Sequence, residues 1–159
     1  MMQETIESFY KAFQEKDAET MVTHYHDAIV FKDPAFGTLK GEQAKDMWRM
    51  LCQNAADLKI EYSQIYSSEK EGTAHWEAHY TFRQTNRKIH NIIEASFVFQ
   101  DGKIIQHSDN FSLHNWAKQA LGFKGWLLGG TSFFKSNLQK QTNHLLAKFE
   151  AASKEKNDG

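Results

Sequence analysis

Proline is almost missing from this chain: Pro34 is the only one, and glycine occurs nine times in 159 residues. Disordered and low-complexity chains need far more of both, so a folded chain is expected. Cys52 is the only cysteine, which excludes a disulfide within the chain and a cysteine-based zinc site. Charge of one sign is lacking too. With a formal net charge of −1 and no basic stripe, neither nucleic acid nor a membrane surface is an expected partner. No apolar run approaches the ~20 residues needed to span a bilayer. The N-terminal MMQETIESFYKAF carries acids early and no apolar segment of the signal-peptide kind. A cytoplasmic globular protein is the default expectation.

What is present suits a core: 40% of residues are hydrophobic and 13% aromatic, enough for one domain and too few residues for two. Ile6, Phe9, Tyr10 and Phe13 recur at helical spacing over residues 3–16. Asp17 reads as the N-cap of a short second helix running through Met21, Val22 and Tyr25. AIVFKD is a short strand ended by Pro34 and Gly37. EQAKDMWRMLCQNAA is a helix with Ala44, Met47, Trp48 and Leu51 in its stripe. LKIEYSQIYSS is a strand with Leu58, Ile60 and Tyr62 on one face.

Strand parity then becomes informative, because alternate side chains share a face. In residues 73–84 the even positions Ala74, Trp76, Ala78, Tyr80 and Phe82 are apolar. In residues 87–100 the odd positions Ile89, Asn91, Ile93, Ala95, Phe97 and Phe99 form the inner set. A two-residue turn at Thr85-Asn86 joins these strands, and a three-residue turn at Gln100-Asp101-Gly102 leads into the next. That register sets Ala95 opposite His107 and Ile93 opposite Asp109. Ile105, His107, Asp109 and Phe111 are then expected on the core face, so a histidine and an aspartate sit inside an apolar surface. HNWAKQAL returns to helical spacing, and GFKGWLLGG reads as an apolar connector. Ser132 caps a last helix with Phe134, Leu138, Gln141, Leu145 and Phe149 on one side, followed by a solvated KEKNDG tail.

FYKAFQEKDAETM, FKDPAFGTLKG and FVFQDGKIIQHSDNF, in this order, carry a resemblance. The chain resembles the nuclear-transport-factor-2-like superfamily, in its SnoaL-like and ketosteroid-isomerase-like branch, from about Thr5 to Leu121. The resemblance implies an α+β cone, with a curved antiparallel sheet wrapped around N-terminal helices, a deep pocket, and homodimers through the convex face. The domain is expected over residues 1–130, with residues 131–159 as a C-terminal helix and tail packed on it. The fold hosts many reactions and does not name one.

By the same resemblance, Asp33 of the Asp33-Pro34 pair stands where ketosteroid isomerase holds its general base. That enzyme's oxyanion donors fall here on Phe9, with Tyr10 one step off the face, and on Ala95. Both are missing, which argues against that reaction. His107 and Asp109 resemble the acid–base pair of the polyketide-cyclase branch, ~7 Å apart along the strand. The expected catalytic set is His107, Asp109 and Asp33. Trp76, Tyr80, Asn91, Phe97 and Trp116 are the expected ligand-binding set, suited to a small hydrophobic molecule.

Each residue also has a plainer reading. Asp33 before Pro34 sets a turn, His107 and Asp109 pair with each other in a wet core, and the aromatics fill it. His75, Glu77 and His79 alternate on the opposite face, where His–Glu–His is a zinc-binding pattern. That face forms the dimer interface in the implied family, so interfacial hydrogen bonding is expected there, with no metal and no cofactor. The expected function is cofactor-independent acid–base chemistry: isomerisation, dehydration, aldol-type cyclisation or hydrolysis. The alternatives are a ligand binder without turnover and an adaptor that binds protein through the convex face.

Overall fold

The computed structural model describes residues 2–158, with side chains to residue 156. Two helices open the chain, α1 (Met2–Gln14) and α2 (Ala18–Thr23). Asp17 caps α2 by accepting a hydrogen bond from the Thr20 amide, as its position predicts. Then come β1 (Tyr25–Asp33), β2 (Gly37–Lys40), α3 (Glu42–Gln53), β3 (Lys59–Ser67), β4 (Glu71–Phe82), β5 (Arg87–Gln100) and β6 (Lys103–Asn110). Three helices close the chain: α4 (Leu113–Leu121), α5 (Phe123–Leu128) and α6 (Ser132–Asp158). No described helix is long and apolar enough to cross a membrane.

The strands form one curved, unclosed sheet in the order β2-β1-β6-β5-β4-β3. β1 and β6 run parallel, and the other neighbouring pairs are antiparallel. The inner face carries Ala74, Trp76, Ala78, Ile93, Ala95 and Phe97, all buried. Against it pack Ile6, Phe9, Tyr10 and Phe13 of α1 and Met47 and Trp48 of α3. The expected α+β cone is the architecture found.

The registers differ from expectation in a consistent way. β4 and β5 are joined by four residues, not two, with Phe82 paired to Arg87. The turn is docked on α4: Thr85 Oγ1 donates to the Ala120 carbonyl at 2.5 Å and Arg87 Nε to the Gln119 carbonyl at 2.7 Å. Between β5 and β6, Asp101 and Gly102 both have positive φ, 54° and 74°, the two-residue turn that Asp-Gly favours. A bulge follows, in which Ile105 has no partner between the pairs Phe99–Ile104 and Val98–Gln106. The shorter turn and the extra residue offset each other in parity. Thus His107 and Asp109 stay on the inner face, but opposite Phe97 and Ala95. Ile104, not Ile105, is the buried isoleucine.

Two further corrections concern the C-terminal region. GFKGWLLGG is not a bare connector, since Phe123–Leu128 is helical. Gly125 makes this possible: a Cβ there would lie 1.8 Å from the Ala117 carbonyl oxygen, so α5 sits backbone-close on α4. The expected tail is helical through residue 158, and Gly159 lies outside the described residues. The inner stripe of α6 keeps Phe134, Leu138 and Phe149 half-buried as expected, but its middle is offset by one residue: Leu146 is 0% exposed and Leu145 is 51% exposed. Truncating Leu146 to alanine is therefore expected to cost about 2–4 kcal/mol. Leu145→Ala is expected to stay within about 0.5 kcal/mol. Urea unfolding of the two variants side by side checks this; equal effects would contradict the observed packing.

Candidate functional site

Five buried side chains of the cone form one chain of hydrogen bonds. Trp48 Nε1 donates to the Tyr25 hydroxyl at 2.8 Å. Tyr25 Oη lies 2.7 Å from His107 Nδ1, and His107 Nε2 lies 2.9 Å from Asp109 Oδ1. Trp76 Nε1 reaches the same Asp109 oxygen at 3.3 Å. An indole only donates, so the Tyr25 oxygen accepts from Trp48 and its own proton points at His107 Nδ1. His107 is then neutral, with its hydrogen on Nε2 directed at Asp109. This assignment uses every donor in the chain, whereas an imidazolium would leave the Tyr25 hydroxyl hydrogen without an acceptor.

His107 is 0% exposed and Asp109 3%. Rings enclose the imidazole: Trp48 stacks on it at 5.9 Å and 10°, Phe97 lies at 4.5 Å, and Phe31 and Phe9 meet it edge-on. Both ring nitrogens of His107 are engaged, Nδ1 with Tyr25 and Nε2 with Asp109. Trp76 and Phe97 belong to this cluster. Tyr80 and Trp116 do not: they pair with each other, Trp116 Nε1 donating to Tyr80 Oη at 2.8 Å, where α4 meets β4. Asn91 is half-buried and opposite Ala78, between the two groups.

Asp33 ends β1. The parallel pairs Phe31–His107 and Lys32–Ser108 lead directly to Asp33 beside Asp109 on the inner face. Its Oδ1 accepts the Phe36 amide at 2.6 Å, so the aspartate does set a turn. Burial lifts its pKa to about 7, opposed by the Phe36 amide and assisted by the Asp109 charge. α6 holds the same turn from outside. Gln139, Thr142 and Asn143 donate to the carbonyls of Pro34, Ala35 and Phe36 at 3.1, 2.8 and 2.9 Å.

Tyr10 completes the set. It is wholly buried, against Tyr62, Trp76 and Phe97. Its hydroxyl is the one buried side-chain polar atom among the described residues with no hydrogen-bond partner. Burial raises its pKa well above the ordinary tyrosine value, and the Asp109 charge adds to this. Tyr25 is raised likewise, by burial first, with the Trp48 hydrogen bond opposing and Asp109 assisting. Two expectations change here: Tyr10, expected one step off the face, is wholly buried, and Tyr25, expected on the second helix, opens β1. Alternation along β1 does not reveal Tyr25, because the register shifts between Tyr25 and Val30 and Asp27 between them is exposed. Two open depressions occur at the surface, and neither is lined by Asp33, His107 or Asp109.

A helix-filled cone with a polar cluster on its inner sheet face is the architecture of NTF2-like proteins. The SnoaL-like domain model matches residues 6–107, and the chain belongs to that family. A comparison with curated proteins gave no match. Solved structures agree on the fold. An NTF2-like protein of unknown function from Burkholderia pseudomallei superposes with a TM-score of 0.64 at 13% identity, covering 74% of this chain and 95% of that one. An epoxide hydrolase from M. tuberculosis, of the LEH-like kind, gives 0.58 at 19% identity, covering 79% and 89%. A candidate polyketide cyclase from Xanthomonas campestris pv. campestris gives 0.59 at 16% identity, covering 73% and 93%. The chain is thus a SnoaL-like protein.

Proposed function

We propose that this protein binds a small, largely apolar molecule inside its cone and performs cofactor-independent proton transfer on it. The unpartnered Tyr10 hydroxyl carries this reading, because a buried polar atom without a partner costs free energy unless water or a ligand satisfies it. Asp33 is the proposed base: with a pKa of about 7 it exchanges protons near neutral pH. Asp109 is the second carboxyl group, and His107 and Trp76 position it. Trp76 and Phe97 provide apolar wall, while Tyr80, Asn91 and Trp116 belong to the outer end of the same cone. Isomerisation, dehydration, aldol-type cyclisation and epoxide hydrolysis all fit two carboxyl groups and a phenol.

A second reading is a binder without turnover, since both ring nitrogens of His107 are already taken by Tyr25 and Asp109 and leave it no free group for proton exchange. One experiment separates the two. Enolisable apolar ketones and apolar epoxides are incubated with the protein in D2O and followed by NMR for exchange or ring opening. Turnover that falls at least a hundredfold in Asp33→Asn and is weakened in Tyr10→Phe supports catalysis. Ligand-induced shifts without turnover would leave the binder. Neither shifts nor turnover across the panel would refute the pocket altogether.

A further inference from the structure

We propose that Glu77, His79 and His90 form a site for a divalent transition-metal ion of the zinc class on the outer face of the sheet. The register brings them together: His79 of β4 and His90 of β5 are directly paired, and Glu77 is two residues along β4 on the same face. One donor atom from each, two imidazole nitrogens and a carboxylate oxygen, all lie within 4.8 Å of one another. The edge of a tetrahedron with zinc bonds of ~2.0–2.1 Å is roughly 3.3 Å. The two imidazoles stack at 4.1 Å, and His90 is exposed, so modest ring rotations close the difference.

The donor set also fits chemically. Two imidazoles and a carboxylate suit borderline cations such as zinc, and a fourth position stays open to water. His90 Nε2 already approaches Glu77 Oε1 at 2.6 Å, and a cation would take the place of that shared proton. The other carboxylate oxygen is held from behind. His75 Nε2 lies 2.9 Å from Glu77 Oε2, while His75 Nδ1 is hydrogen-bonded to Glu94. Such a buttress is what metal-binding carboxylates ordinarily have. The sequence pattern His75-Glu77-His79 points to this face but to the wrong trio. The observed register makes His75 a supporting residue and supplies His90 from the next strand.

The test uses the full chain without a histidine tag, stripped with chelator and titrated with zinc chloride by calorimetry. One equivalent per chain is expected. His79→Ala and His90→Ala should each weaken binding at least about tenfold, and His144→Ala, on exposed α6, should leave it unchanged. As a check that needs no variant, zinc should shift the ring resonances of His79 and His90 but not that of His144. Zinc affinity equal in the wild type and in the His79→Ala/His90→Ala double variant would overturn the proposal. So would unshifted His79 and His90 resonances at saturating zinc.

Discussion

His107→Ala is expected to destabilise the fold by about 3–5 kcal/mol. The imidazole is fully buried among rings, so its removal leaves a cavity, which for large core side chains accounts for several kcal/mol. It also strands one polar group and leaves a second with fewer partners. Tyr25 loses the acceptor of its hydroxyl hydrogen, and Asp109 loses one of the two N–H groups on Oδ1. An unsatisfied buried group costs about 1–3 kcal/mol. At this chain length, the sum corresponds to a melting temperature lower by roughly 10 °C. Calorimetry against His107→Gln, which retains a donor and an acceptor, separates cavity from polarity. If His107→Ala melted with the wild type, the hydrogen-bond chain would have no structural weight.

Asp33→Asn is expected to alter the pH dependence of stability. The folded pKa of about 7 lies above the ordinary 3.8, so the folded state binds this proton more tightly than the unfolded state. The stabilisation from this group is complete below pH 4, declines as pH rises through 7, and is absent above. Asparagine keeps the acceptor for the Phe36 amide but never ionises. The variant should therefore match the wild type near pH 4 and exceed it at pH 8 by up to about 4 kcal/mol, since each tenfold difference in proton affinity between the folded and unfolded states is worth about 1.4 kcal/mol. Glu150 is also raised to about 7, first by burial and then by Asp46. The difference between variant and wild type, rather than either curve alone, isolates Asp33. Parallel curves from pH 4 to 8 would mean that Asp33 ionises normally.

Much of this is legible in the sequence, for reasons that differ by element. The inward side of β6 follows from alternation, and His107 and Asp109 are buried where parity sets them. Their expected partners sit two residues off, because alternation reports a face and not a register. A bulge leaves no mark in hydrophobic spacing when an isoleucine stands at either position, as Ile104 and Ile105 do. Asp33 is visible through Asp-Pro. Its neighbour Asp109, its raised pKa and its contacts to α6 depend on strand order, which local patterning does not encode. Tyr10 escapes an alignment of residue types to a known reaction, since burial without a partner is a property of the packed state. The outer trio is hidden for the same cause as the inner register.

The family match ends at residue 107, yet the three side chains that grip the Asp33 turn lie at 139, 142 and 143. The proposed base is thus aimed by a part of the chain that the matched segment does not contain. A chain trimmed after β6 would keep Tyr10, Asp33, His107 and Asp109 and lose the clamp that sets the angle of one of them. Asp33 itself lies inside the matched segment, while the side chains that hold its turn lie about thirty residues beyond it.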